Sequence, residues 1–67
     1  MLEKQDQMEQ IYNFVSRNKF SHASRVVCTR IVGGGFMGID EEVLEELKEK
    51  LPAVADEELQ ACYYMIK

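Results

Sequence analysis

The glycines are the residues whose spacing most resembles a chemical motif, because all four lie between positions 33 and 38. The stretch 33-38 reads GGGFMG, which has the spacing G-x-G-x-x-G, follows a β-branched run and precedes a helix start. In a dinucleotide-binding β-α-β unit, such a loop holds a pyrophosphate against the first turn of the following helix. The glycine spacing therefore makes nucleotide binding the first function to test.

The residues after the glycines argue against a nucleotide site. Only 29 residues follow position 38, and none of them forms a second β-like segment. The helix that would hold the phosphates opens with Asp40, Glu41 and Glu42, whose carboxylates satisfy its positive end and repel an anion. We expect instead that Gly33 ends the preceding helix with a positive φ, and that residues 33-38 form a flexible glycine-rich loop.

Few side chains are suited to acid-base or nucleophilic catalysis. His22 is the only histidine, and Cys28 follows it by six residues, about 600° around a helix, so the two side chains lie on different faces. We interpret His22 as a surface residue in a first helical turn. Cys28, Cys62 and one histidine do not complete a four-ligand zinc site, and no calcium-loop pattern occurs. We therefore predict no catalytic, cofactor or metal site, and two buried thiols in a reducing compartment.

Charge divides the chain into two unlike halves. Residues 1-39 carry five basic and three acidic residues, a net charge of +2, and residues 17-39 contain no acid. Residues 40-67 carry three basic and nine acidic residues, a net charge of −6. The total of −4 opposes general binding to nucleic acid, because affinity for nucleic acid comes largely from neutralising phosphates.

The hydrophobic spacing predicts four amphipathic helices. Apolar residues recur at intervals of three and four, with Asp40 and Asp56 at helix starts and Pro52 after the third helix. The segment from Val26 to Val32 also favours a strand by propensity, but a single strand lacks a partner inside a monomer, so we favour a helix there. An intermolecular sheet in a dimer is the alternative. The predicted helices span about residues 3-18, 22-32, 40-51 and 56-66.

These elements predict an all-α fold, a compact bundle of four short helices in one domain over residues 1-67. A chain of 67 residues is near the size at which one hydrophobic core is only just sufficient. No apolar run is long enough to span a membrane and no secretory signal is visible, so we expect a cytoplasmic protein. The predicted core combines one apolar face from each helix: Ile11, Val15, Val27, Ile31, Leu44, Leu47, Leu59, Tyr63 and Ile66.

The size and the acidic second half favour a protein-protein interaction module. Such a domain acts by docking, as an adaptor or inhibitor of a larger protein, and small acidic helical proteins of this type include phage-encoded modulators of host enzymes. A dense carboxylate surface steers association with a basic partner and can mimic a nucleic-acid backbone. The predicted contacts are the glutamates on one line of the third helix and apolar residues outside the main stripes: Phe36, Met37, Glu41, Glu45, Glu49, Tyr64 and Met65.

Two further possibilities remain open from the sequence. The basic segment 17-30 is compatible with a small helix-turn-helix transcriptional regulator, in which Arg17, Lys19, His22, Arg25 and Arg30 would contact DNA. A homodimer would bury apolar surface that so short a chain cannot bury alone, through Phe36, Met37, Tyr64 and Met65. The alternative for Phe36 and Met37, which we favour, is that both side chains fold back onto the core.

Overall fold

Four α-helices make up most of residues 3-66, the part of the chain that this computed structural model describes. They are α1 (Lys4–Arg17), α2 (His22–Ile31), α3 (Glu41–Lys50) and α4 (Asp56–Ile66), with a 3-10 turn (Leu51–Ala53) between α3 and α4. The all-α prediction is confirmed, and the β-branched segment lies within α2 and the turn after it. Residues 3-66 contain no strand and no helix long and apolar enough to cross a membrane.

Local hydrogen bonds explain where the helices begin and end. The Oδ1 atom of Asp40 accepts the backbone N–H of Val43 at 3.0 Å, which caps α3 as the sequence predicts. Asn18 ends α1, and both its backbone N–H and its Nδ2 donate to the carbonyl oxygen of Phe14 at 2.9 Å. Ser21 occupies the N-cap position of α2 with an extended backbone, but its side chain makes no capping hydrogen bond. Ser21 therefore marks the start of α2 through its backbone conformation alone.

Two ion pairs show how α4 is oriented. Asp56 at the start of α4 lies 3.4 Å from Lys4 Nζ at the start of α1, so these two helices begin at the same end. Glu58, in the first turn of α4, accepts a hydrogen bond from Arg30 near the end of α2, at 3.2 Å. Helix α4 therefore runs parallel to α1 and antiparallel to α2.

Helix α3 runs in the same direction as α2. Lys50 at the end of α3 donates from Nζ to the carbonyl oxygen of Val32, which directly follows α2, at 3.4 Å. At the opposite end, Arg25 of α2 and the α3 cap residue Asp40 line one cleft. Each helix packs on two neighbours, in the order α1, α4, α2, α3 around the bundle. The short links α1–α2 and α3–α4 therefore join helices that lie diagonally opposite each other in the bundle. The longer link joins α2 and α3, which are adjacent and parallel.

The glycine-rich loop is the crossover that this topology requires. Parallel neighbours place the end of α2 and the start of α3 at opposite ends of the bundle, about 15 Å apart for a helix of ten residues. Seven extended residues, 33-39, reach at most about 23 Å and can cover that distance. Gly33 has a φ of 106°, as predicted, and the Cys28 carbonyl accepts both the Val32 N–H at 2.7 Å and the Gly33 N–H at 3.2 Å. Glycine thus turns the chain out of α2 and back along α3.

The core lies where the four helical faces meet. Six of the nine predicted core residues are buried, and Ile31, Tyr63 and Ile66 are partly buried against them. The buried set also includes both cysteines and Ile39 from the end of the crossover loop. The buried hydrophobic residues are Ile11, Val15, Val27, Cys28, Ile39, Val43, Leu44, Leu47, Leu51, Leu59 and Cys62.

Replacing Leu47 with alanine tests the core. The side chain is completely buried, and deleting it removes apolar contacts and leaves a cavity, at a cost of roughly 2 to 5 kcal/mol. We expect a marked drop in the thermal unfolding midpoint measured by circular dichroism, because so small a domain has little stability in reserve. The exposed neighbour Glu46→Ala is the matched control and should change the midpoint little. An unchanged midpoint for Leu47→Ala would contradict the core assignment.

A pair of glycine substitutions tests the crossover loop. Gly33 has a positive φ that a side chain disfavours, so Gly33→Ala should destabilise the domain by about 1 kcal/mol or more. Gly34 does not have a positive φ, and an added Cβ there meets no atom within 4 Å. We expect Gly34→Ala to be neutral or stabilising, by up to about 1 kcal/mol. Urea denaturation of the two variants compares them directly, and equal destabilisation would refute this assignment.

Candidate functional site

The outer face of α3 is a continuous carboxylate surface, formed by Glu41, Glu42, Glu45, Glu46 and Glu49. The opposite side of the helix is fixed in the core by Val43, Leu44 and Leu47, which are all buried. Spacings of three and four residues then place the five glutamates outward, and all five are exposed. The three glutamates predicted as partner contacts, at positions 41, 45 and 49, therefore lie together on this α3 outer face.

These glutamates have no cationic partner within residues 3-66. The two ion pairs of the described chain use acids of α4, namely Asp56 with Lys4 and Glu58 with Arg30. Along α3, three glutamate pairs are separated by four residues, whereas only Glu46 has a lysine at that spacing. Like charges at this spacing destabilise a helix by about 0.2 to 0.5 kcal/mol per pair. The glutamates of the α3 outer face therefore repel one another, and contact with a basic surface would relieve this repulsion.

The apolar residues predicted as partner contacts have different environments. Phe36 is partly buried against the core, so the expected fold-back is confirmed for this residue and only part of its side chain remains for a partner. Met37 is 101% exposed, and its expected fold-back is wrong. Phe36 and Met37 differ because the backbone of the crossover loop directs the Phe36 side chain toward the bundle and the Met37 side chain away from it. In the last turn of α4, Tyr64 is 60% exposed and Met65 is half-buried.

Phe20 has no role in the hydrophobic pattern of the sequence, but among residues 3-66 it is a second large apolar residue with full exposure. Phe20 is 99% exposed in the turn between α1 and α2, and it lines the same cleft of about 300 Å³ as Met37. The charged residues of this cleft are Lys19 and Arg25 on one side and Asp40 on the other. We call these five residues the Phe20–Met37 patch. In the sequence, Phe20 stands out only as an aromatic residue between the end of one helix and the N-cap of the next, outside the apolar stripes of both helices.

Three of the five basic residues predicted as an alternative DNA-binding surface, His22, Arg25 and Arg30, line one cleft on α2. Arg17, His22, Arg25 and Arg30 are exposed and Lys19 is half-buried. Arg30 forms an ion pair with Glu58, which neutralises the positive charge at the C-terminal end of segment 17-30. Helices α1 and α2 are joined by a short turn but lie diagonally in the bundle, whereas the two helices of a helix-turn-helix pack on each other. DNA binding through segment 17-30 stays a prediction with little geometric support.

The glycine-rich loop forms a cleft of about 440 Å³ with the adjacent face of α3, but its chemistry does not suit a nucleotide. The acidic walls are Asp40, Glu42 and Glu46, and no basic residue lines the cleft. The first-turn N–H of Val43 is already bonded to the Asp40 carboxylate, which occupies this helix start in place of a phosphate. Within residues 3-66, no group of three or more histidine, cysteine or acidic side chains is arranged to hold a metal ion.

The two cysteines are buried thiols and not an exposed nucleophilic site. Both are free and completely buried, on adjacent faces of α2 and α4. Burial raises the pKa of the Cys28 thiol from 9.0 to about 11, with a further contribution from the nearby Cys62. Burial also raises the pKa of Cys62, and Glu58 adds to the effect while Arg30 opposes it. His22 is exposed at the start of α2, so it does not activate either thiol.

The raised pKa makes the stability depend on pH in the alkaline range. The folded protein keeps the Cys28 proton up to about pH 11, whereas the unfolded chain releases it near pH 9.0. The unfolded state therefore binds fewer protons between these values, and the free energy of unfolding should fall as pH rises through them. Urea midpoints across this window test the effect, with Cys28→Ala as the control that removes this contribution. An identical pH dependence in both proteins would contradict it.

Comparison with known proteins assigns this chain to no family. No protein-family model, no curated protein sequence and no solved structure matches it. The features of the molecule that bear on its function are the two surfaces described above, the α3 outer face and the Phe20–Met37 patch.

Proposed function

We propose that this chain is a small protein-protein interaction module that acts by docking, as an adaptor or inhibitor of a larger protein, and not by catalysis. The observation that carries the proposal is the α3 outer face: five exposed glutamates without a cationic partner in residues 3-66. Their mutual repulsion lowers the stability of a domain that has little to spare. A partner with a basic surface would convert that repulsion into attraction on binding.

The partner's chemistry follows from the surface. Carboxylates at successive turns of α3 favour a protein face rich in lysine or arginine, including the nucleic-acid channel of a larger enzyme. Exposed ion pairs contribute about 0 to 1 kcal/mol each, so they set association rate and orientation more than affinity. Apolar contacts beside the glutamates must supply the remaining affinity. Phe36, which is only partly buried and lines one cleft with Glu42 and Glu46, is placed to do so.

The proposal includes a cytoplasmic location and self-association. A reducing compartment is supported by two thiols that are free and buried. Self-association is supported by the small size of the domain and by two large apolar side chains that are fully exposed, Phe20 and Met37. A homodimer would present two copies of the α3 outer face to its target.

Charge-neutralising substitutions on α3 test the docking function. Immobilised protein first captures binding partners from a lysate of the source organism, and mass spectrometry identifies them. Glu45→Gln with Glu49→Gln should then weaken binding of the purified partner by roughly threefold to tenfold, since each lost exposed pair contributes about 0 to 1 kcal/mol. The dependence of the dissociation constant on salt should become shallower in parallel. Folding should improve by a few tenths of a kcal/mol, because like-charge pairs are removed.

The matched control is Asp6→Asn with Glu9→Gln, which removes two exposed negative charges from α1. This pair changes the net charge equally and should leave affinity for the partner nearly unchanged. If both double variants bind the partner equally well, the α3 outer face is not the docking surface. If the wild-type protein captures no partner at all, the proposed function is wrong.

A further inference from the structure

The Phe20–Met37 patch joins two loops that are distant in sequence. Phe20 lies in the turn between α1 and α2, and Met37 lies in the crossover loop before α3. Exposures of 99% and 101% mean that both side chains contact almost nothing of their own chain. They nevertheless line one cleft. Single exposed apolar residues are common on protein surfaces, whereas two large ones that line one cleft form an exposed apolar patch, a feature of contact sites.

Charge is distributed across the patch in a self-complementary way. The α1–α2 side carries Phe20 with two cations, Lys19 and Arg25, and the α3 side carries Met37 with the carboxylate of Asp40. None of these three charged groups forms an ion pair within residues 3-66. A purely basic or purely acidic partner would match one side and be repelled by the other. A second copy of this patch, rotated by 180°, matches both sides.

We infer that the Phe20–Met37 patch is a two-fold symmetric interface with a second copy of this chain. In this arrangement, Phe20 of each protomer packs on Met37 of its partner, and Lys19 of each protomer faces Asp40 of its partner. Both contacts occur twice, as a closed two-fold interface requires. A thioether beside an aromatic ring is a favourable pairing. This inference rests on the self-association included in the proposed function, and it assigns the contact residues.

The assignment replaces part of the dimer surface expected from the sequence. Of Phe36, Met37, Tyr64 and Met65, only Met37 belongs to the patch. Phe36 and Met65 are partly withdrawn from the surface, and Tyr64 lies in the last turn of α4, outside the cleft. Phe20 takes the place of the aromatic contact that the sequence assigned to Phe36.

The area of the patch sets the strength of the dimer. A standard interface buries about 800 Å² on each partner, which would be about one sixth of the 4683 Å² surface of this chain. One aromatic side chain buries roughly 150 to 250 Å², so Phe20, Met37 and their charged rim form an interface below standard size. Interfaces of this class are weak and transient. The dimer should therefore form at high micromolar concentration and dissociate on dilution.

The dimer leaves the α3 outer face accessible. Glu45 and Glu49 lie one and two helical turns beyond the start of α3, away from the patch. The dimer would then carry two α3 outer faces, one on each side of the two-fold axis. When a target has two basic sites within reach, the second contact becomes intramolecular and binding strengthens without any new interaction. Self-association through the patch thus makes the proposed docking module bivalent.

Sedimentation equilibrium of the purified chain over a range of concentrations tests the interface. We expect a mass rising from one chain toward two at high micromolar concentration. Phe20→Ser with Met37→Ser should raise the dissociation constant about tenfold or more, because two apolar side chains lose their burial. Tyr64→Ser, a substitution of another exposed aromatic residue outside the cleft, is the matched control and should leave the dissociation constant unchanged. Circular dichroism at low concentration should show that all variants are folded.

Charge reversal provides a second, independent measurement. Lys19→Glu should weaken the dimer, because the introduced carboxylate of each protomer would face Asp40 of its partner. A single chain at every concentration overturns the inference, and so does a dimer that the Phe20 and Met37 substitutions leave intact. Masses that grow beyond two chains overturn the closed two-fold arrangement. None of these outcomes bears on capture of a partner by the α3 outer face, which the Glu45 and Glu49 variants measure separately.

Discussion

The constraint on which the structure depends is the parallel arrangement of α2 and α3. The two helices must lie side by side so that Val27 and Cys28 of one and Leu44 and Leu47 of the other share a core with α1 and α4. A parallel pair cannot be joined by a short turn, so the chain needs a segment that returns along the bundle. The glycine-rich loop is that segment, and Gly33 and Gly35 give its backbone the positive φ angles of this path.

The crossover loop also determines which apolar residues remain outside. Its second half supplies Phe36 and Ile39 to the core, while Met37 between them points away from the bundle. The loop ends beside the α1–α2 turn, and this brings Met37 and Phe20 to the same cleft. In a domain of 67 residues, side chains of this size would normally be needed inside. Their position at one end of the bundle is the basis on which we propose self-association.

The electrostatic character of the molecule separates two kinds of contact. The α3 outer face carries five glutamates with Lys48 beside them, and this strongly acidic surface favours a different molecule, with the opposite charge. The Phe20–Met37 patch has both signs, arranged so that the surface complements itself. Binding at either surface stabilises the folded chain by mass action, since the unfolded chain has neither surface. A small domain of this kind would be more stable when bound at either surface than alone.

The sequence by itself determined the four helices, their ends within one or two residues, most of the core and the line of glutamates on α3. Each of these depends on local information: spacing of three and four, an N-cap at Asp40, a glycine at position 33, and charges on one helix. Only the tertiary structure decided that α2 and α3 are parallel, that Phe36 turns inward while Met37 does not, and that Arg30 pairs with Glu58. Those features depend on how helices distant in sequence pack, and periodicity within one helix carries no information about direction or neighbours. Phe20 has no role in the sequence pattern for the same reason. It becomes part of a surface only because the fold brings it to the same cleft as Met37, 17 residues further along the chain.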